Sequence, residues 1–394
     1  MTRKKRSKLR LPFSLSPKKI KGWKKHQEKI RFKRLGKKLF VVCGLWLVVA
    51  FLFLGYKSWK FLTKPLAQEQ GSGLSPPRWN GKTQLNLLLF NINNQDDSDY
   101  HTISYSSMAD VAVVTFNPAE GTLRFFVIPL EILVETEKGT YPAKKLFALG
   151  ATLNPPAETG FLIDSMQGFL AVPLDGYISL RSNSRLPPSL KLRRAGKTQN
   201  SKLEGEVVDF HQQLKSPKII FQIPQILQFA KADLKTNLSA GQSFRLLWQV
   251  RKVRFDKLSV TALPEHILSS ERINTDEDVL VVNEKLLDEV ITEIFAEPGI
   301  ITERIKVSVK NGTKTPGLAT KAARFLKNLG TGVIEIGNAE TQDCEKTQIL
   351  DYTGVPTSRT LQRLEDVFGV ESERIEVFEA RRADVEIVVG EDFQ

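Results

Sequence analysis

The chain has 394 residues, 41% of them hydrophobic, and a formal net charge of +13. That is enough apolar material for two or three packed domains. Its two cysteines, Cys43 and Cys344, do not read as a pair, which excludes a disulfide-stapled scaffold. The charge is confined to one end. Residues 1–38 hold 17 Lys and Arg against one acid, Glu28, a local +16 that leaves −3 for the remaining 356 residues. Next comes LFVVCGLWLVVAFLFLGY, residues 39–56, 18 uncharged positions between Lys38 and Lys57. At about 1.5 Å of rise per residue this run spans about 27 Å, the thickness of bilayer hydrocarbon, and it is apolar on every face, which a soluble helix does not need. Tyr56, Trp59 and Phe61 beside Lys57 and Lys60 suit an interfacial belt. No small-residue cleavage site follows closely, so the segment reads as an uncleaved signal-anchor. The positive-inside rule then places residues 1–38 in the cytoplasm and the bulk of the chain outside. The lipid bilayer is the first expected partner. Beside such a span the basic tail is better matched to anionic headgroups than to nucleic acid.

Residues 57–83 mix Gly, Ser, Pro and Gln without apolar period and read as a stalk linker. A mixed-sheet α/β domain is predicted over 84–298. LNLLLFNI (85–92) is continuously apolar, as a doubly covered strand is, and 109–117 and 122–129 form a hairpin around Pro118-Ala119-Glu120-Gly121. A helix is expected from about Ala157 to Leu170, a strand over 175–180, and a long basic loop over 181–206. Helical patterns return at 222–232 and 241–252, then a strand over 256–263 and a helix over 283–296. Glu297-Pro298-Gly299 ends this region. A second, small βαββαβ domain of α+β class follows over 304–394, with strands at 305–310, 332–337, 347–352 and 383–390. Its first helix is capped by Thr315-Pro316, and a second covers 359–369. The order fits a split βαβ sandwich with two helices over a four-stranded sheet.

The four histidines are scattered, and no zinc spacing, GxSxG elbow, Walker loop or GxGxxG occurs. The acidic turn NNQDDSDYHT (93–102) offers Asp96, Asp97 and Asp99 as oxygen ligands for Mg²⁺, though such runs are more often solvated loops. Asp110 opens an otherwise apolar strand at the rim of the sheet, where a site residue and a turn cap are both open roles. Asn311-Gly312-Thr313 matches a glycosylation sequon, but between a strand and a helix it reads more economically as a glycine turn; its amides are also candidates for an anion.

IKVSVKNGTKTPGLATKAARFLKNLG, VIEIGNAE and ADVEIVVGEDF together resemble the LytR C-terminal domain, in order over about 90 residues. The preceding region resembles the catalytic domain of the LytR-CpsA-Psr family through LNLLLFNINNQDDSD, MADVAVVTFNPAEGTLRFFVIPLEILVE and TGFLIDSMQGFLAVPLDGYISL. That resemblance implies a membrane-anchored protein whose outer domain transfers glycopolymer from polyprenyl phosphate to the cell wall. It makes a cell-wall glycan or polyprenyl-linked polymer the expected partner. It also exposes a departure. Where the family carries an arginine that grips the lipid phosphate, this chain has Leu130, followed by Glu131 in place of Asp. DFHQQL (209–214) lacks the arginines of the family's later motif. Of the acidic positions Asp110 lines up as the catalytic candidate, with Asp97 second as the metal ligand. Arg124, Arg193 and Arg194 are the candidate substrate-binding cations; Arg181, Arg185, Lys144 and Lys145 are further substitutes, and solvated surface charge is the plainer role for all of them. Phosphoryl transfer depends on positioned cations, and one arginine is worth on the order of 10³ in rate. The sequence therefore favours a non-catalytic binding or scaffold protein without a cofactor. The alternative is an active, Mg²⁺-dependent phosphotransferase with a rearranged arginine set.

Overall fold

The computed structural model describes residues 65–67, 79–93, 107–153, 157–181, 208, 211–212, 215–216, 234–273, 277–355, 358–376 and 381–393. The predicted tail, the apolar run 39–56, most of the basic loop 181–206 and the predicted helix 222–232 lie outside the described residues. Among those described, no helix is long and apolar enough to cross a membrane. The described residues from Pro65 to Phe393 belong to one compact unit.

In chain order the first domain contains β1 (Pro65–Ala67), β2 (Leu85–Asn93), β3 (Ser107–Asn117), β4 (Thr122–Val127), β5 (Leu133–Thr136), β6 (Gly139–Pro142), α1 (Ala143–Ala151), α2 (Glu158–Leu170), β7 (Gly176–Arg181), β8 (Leu234–Ser239), α3 (Ala240–Val250), β9 (Leu258–Ala262), β10 (Leu268–Ile273), β11 (Glu277–Val282) and α4 (Glu284–Phe295). After it come α5 (Pro298–Glu303), β12 (Lys306–Asn311), α6 (Leu318–Asn328), β13 (Gly332–Asn338), β14 (Gln348–Asp351), α7 (Arg359–Phe368), β15 (Ser372–Arg374) and β16 (Val385–Val389).

The large sheet has seven strands in the order β1-β8-β7-β2-β3-β4-β9. Its directions are mixed: β2 pairs antiparallel with β3 and parallel with β7, and β4 pairs parallel with β9. Alternation along β2 explains why the run is continuously apolar. Leu88 and Phe90 face the main core with Phe126, Leu162, Met166, Leu287, Ile291 and Phe295, while Leu85 and Leu87 face a second cluster with Phe116, Leu238 and Val250. Both faces are covered, so both must be hydrophobic. In the main core Phe90 packs against Phe147 and Tyr177, and Phe126 meets Phe295 edge to face.

Local chemistry sets the helix starts. Ser239 and Gln242 form a reciprocal capping box on α3, and the Asn283 side chain accepts from Lys285 N and Leu286 N at the head of α4.

Several expectations are corrected. The predicted stalk is partly structured: Pro65–Ala67 is an edge strand on β8, and Trp79 is buried against Phe116. The stretch after Leu130 holds a hairpin and a short helix. β5 and β6 pair antiparallel, and Ala143, Leu146, Phe147 and Gly150 form the buried stripe of α1.

The C-terminal sheet has five strands in the order β13-β12-β16-β14-β15. It is not a split sandwich, because β12 and β13 are direct parallel neighbours and β16 also runs parallel to β12. Its α6 starts two residues later than Thr315-Pro316 suggests, with Gly317 at φ +82° in the capping position.

The NGT stretch is a buried turn. Asn311 Nδ2 donates to Thr315 O, Thr313 N donates to Asn311 Oδ1, and Gly312 N donates to Val389 O. The Asn311 side chain and the amides of Gly312 and Thr313 are thus engaged within the fold. Glycine is required at 312, since an added Cβ would come within 2.8 Å of Cys344 and Val388.

Candidate functional site

The two ends of β2 carry different chemistry. At its C-terminal end Asn91 pairs across the ladder with Asp110, beside a bulge between Asn91 and Ile92. Ile128 N donates to Val111 O at 3.1 Å, which brings the turn Pro129-Leu130-Glu131 alongside Asp110. Asp110 is exposed, and the Asn91 Oδ1 atom is buried without a hydrogen-bond partner. Asp110 and the Leu130 turn thus share one rim of the sheet.

Backbone bonds fix that turn. Ala143 N donates to Ile132 O at 2.8 Å, Lys144 N to Leu130 O at 3.0 Å, and Leu280 N to Glu131 O at 3.0 Å. The first amides of α1 are thereby spent on carbonyls of the stretch between β4 and β5 instead of standing open to an anion. Leu130 is half-buried and packs on the main core, whereas Glu131 is exposed. Lys144 is half-buried in the first turn of α1, and Lys145 is exposed.

The proposed cations do not gather here. Arg124 stands opposite Thr115 on β3, five residues from Asp110, or about 17 Å at about 3.4 Å per residue. Its Nη1 donates to Ile294 O at 2.7 Å and to Glu293 O at 3.4 Å, the last carbonyls of α4. It serves as a helix C-cap. Asp97, Arg185, Arg193 and Arg194 lie outside the described residues, and of Arg181 only the backbone at the end of β7 is described. His211, in the stretch standing where the arginine-rich motif would be, is buried; burial and then Lys215 lower its pKa, which favours a neutral imidazole. Among the described residues no three His, Cys, Asp or Glu side chains come together as metal ligands.

At the other end of β2, Asp175 accepts from Asn86 N at 2.7 Å. The same carboxylate receives Arg363 from α7, Nη1 at 2.8 Å and Nη2 at 3.4 Å. Arg363 Nε also lies 2.8 Å from Glu297 Oε1, an ion pair. The arginine side chain is 3% exposed. Burial works against its charge, but Asp175 and Glu297 outweigh burial and raise its pKa. The pKa of Glu297 is raised, first by burial, with Arg363 opposing and Asp175 adding. A cavity of about 380 Å³ opens beside this cluster, lined by Gln84, Asp175, Arg363, Asp366, Phe368 and Phe393 among others.

A second seam lies between α4 and α6. Arg324 Nε is 2.8 Å from both oxygens of Asp288, and buried Asn328 donates to Leu170 O and Ala171 O at 3.2 Å. Sequence reasoning missed Arg363, Asp175 and Glu297. The available signal was an arginine on the apolar stripe of a helix, with Thr360, Leu361 and Leu364 beside it, since a buried arginine requires a partner.

Residues 304–393 match the family model described as LytR cell envelope-related transcriptional attenuator, LytR_C. The C-terminal domain is a LytR C-terminal domain. Its core joins Val307, Val309, Leu326, Leu364, Ile387 and Val389, and Arg363 projects from it to Asp175. The chain matches no curated protein. Among solved structures it is similar to the transcriptional regulator yvhJ from Bacillus subtilis, 13% identical over 53% of this chain and 94% of that one, with a TM-score of 0.40. It is likewise similar to TagV of B. subtilis, at 14% identity, 53% and 94% coverage and a TM-score of 0.41. A third is the LytR-CPS2A-psr family protein YwtF (TagT) with bound octaprenyl pyrophosphate lipid, at 13% identity, 57% and 95% coverage and a TM-score of 0.34. In this chain the LytR C-terminal domain meets the sheet at the Asn86 end of β2, away from Asp110.

Proposed function

We propose that this protein is a cell-envelope component related to the glycopolymer transferases, anchored by residues 39–56 with its N-terminus cytoplasmic and its folded region outside. In this reading it binds or organises lipid-linked or wall glycan and does not transfer it. The observation that carries the reading is the composition of the rim at Asp110. Leu130 packs on the core where the related family holds a phosphate-gripping arginine, and Arg124 is committed to the end of α4 about 17 Å away along the strand. A pyrophosphate at this rim would lack a guanidinium from either residue, and such cations supply most of the catalysis of phosphoryl transfer.

The test is transfer by the full chain reconstituted in liposomes, with a polyprenyl-pyrophosphate-linked oligosaccharide and Mg²⁺. No transfer is expected. Turnover that Asp110→Ala abolishes would overturn the reading.

A second reading, an active phosphotransferase with rearranged cations, draws support from Lys144, whose backbone bonds to Leu130, and from the unpartnered Asn91 Oδ1. Its mark would be turnover lost in both Asp110→Ala and Lys144→Ala.

A further inference from the structure

The helix α3 lays Leu246 and Val250 on the sheet and turns a second apolar face to solvent. On that face Phe244 is 64% exposed, Leu247 41% and Trp248 51%, with Phe255 at 58% just beyond the helix. The spacing i, i+3, i+4 makes one continuous stripe, and Phe244 and Trp248 stack at 6.3 Å. Arg251 and Lys252 each hold a charge 5.8 Å from the Trp248 ring. From 240 to 257 the chain has five Lys and Arg against one acid, Asp256, in an outer region that is net acidic as a whole. Exposed aromatics rimmed by arginine and lysine match the headgroup layer of a membrane, where the rings enter the boundary and the cations meet phosphates.

We propose that this face of α3 lies in the interfacial layer of an anionic bilayer and holds the sheet against it. Two observations select the bilayer as occupant. The first is charge complementarity between this cationic island and anionic headgroups. The second is chain length: α3 follows β8, which pairs with β1, and β1 begins at Pro65, nine residues after the apolar run ends at Tyr56. Fully extended, nine residues reach at most about 32 Å, so a chain anchored by 39–56 keeps this edge of the sheet near the surface. The inference rests on the anchoring proposed above.

The experiment uses the full chain in vesicles of anionic phosphatidylglycerol and phosphatidylcholine, with and without bromine on the acyl chains. Of the five tryptophans, the difference between wild type and Trp248→Phe isolates Trp248. Bromolipid is expected to quench that difference signal roughly twofold or more, because a face seated about 5–10 Å deep brings the ring near the bromines. Replacing the anionic lipid by a zwitterionic one, or introducing Phe244→Ser with Leu247→Ser, is expected to relieve the quenching while unfolding temperature stays unchanged. Protein that floats with the vesicles but leaves Trp248 unquenched overturns the docking and spares the anchor. Protein that does not float with them overturns both. A dimer in detergent that Phe244→Ser with Leu247→Ser dissociates would assign the face to a second copy and overturn the inference.

Discussion

The two ends of β2 place opposite choices in one strand. At the Asn86 end a fully buried arginine is held between two carboxylates, Asp175 and Glu297, and carries the LytR C-terminal domain. At the Asn91 end, where the sequence resemblance leads to the expectation of a phosphate-gripping arginine, a half-buried leucine completes the core. Desolvating a guanidinium is costly, and only close anions offset it. A fixed pair of carboxylates does so permanently, whereas an arginine awaiting a phosphate stays hydrated until the ligand arrives. The structure places its buried arginine where the partner is built in.

Substitutions at the two ends should therefore differ in size. Arg363→Ala leaves two buried carboxylates unpaired, and a loss of about 3–5 kcal/mol in urea unfolding is expected. Replacing the cluster by Arg363→Met, Asp175→Asn and Glu297→Gln together should recover most of that loss; failure to recover would mean that the cluster is not a closed electrostatic unit. Arg324→Ala, at the shallower α4–α6 seam, is expected to cost about 1.5–3 kcal/mol by the same measurement.

The head of α7 gives a pH test. Glu303 accepts from Ser358 Oγ at 2.8 Å, Arg359 N at 2.7 Å and Thr360 N at 2.9 Å. Burial tends to raise its pKa, but the hydrogen bonds from Thr360, Arg359 and Ser358 lower it overall. A depressed carboxyl stabilises fully above its ordinary value of 4.5 and loses that stabilisation as pH falls toward its folded value. Glu303→Gln should thus cost about 1 kcal/mol at pH 7, the worth of a cap, and the gap to wild type should close as pH falls below the ordinary value. A gap independent of pH would remove the carboxylate from the account.

Leu130→Arg, at the open rim, should cost about 1 kcal/mol or less, because the new charge can reach water. A loss as large as that of Arg363→Ala would show the rim to be as closed as the joint. Arg272→Ala, at a pair with Asp278 that is 75% and 68% exposed, should change stability by only a few tenths of a kcal/mol.

Much of the fold was legible because burial imposes period. The strands at 85–92, 109–117 and 305–310 and the helices at 157–170, 283–296 and 359–369 fall within a few residues of their predicted ends. The short α1 was passed over although Ala143, Leu146, Phe147 and Gly150 keep helical spacing, because nine residues beside a proline make a weak pattern. Topology was not legible. That β12 and β13 are neighbours depends on how β16 inserts, and no local pattern carries that information. At the rim the sequence located Asp110 and Leu130, since a strand exit is marked by its proline. It gave no means of seeing that Arg124 faces the end of α4, because which carbonyl a side chain meets is a tertiary fact.

The position of β16 also bears on how the LytR C-terminal domain is made. The last strand in sequence, Val385–Val389, lies in the middle of its sheet between β12 and β14. A nascent chain stopped anywhere before Val385 leaves a gap that separates β12 from β14, so this domain cannot close until β16 itself has been made.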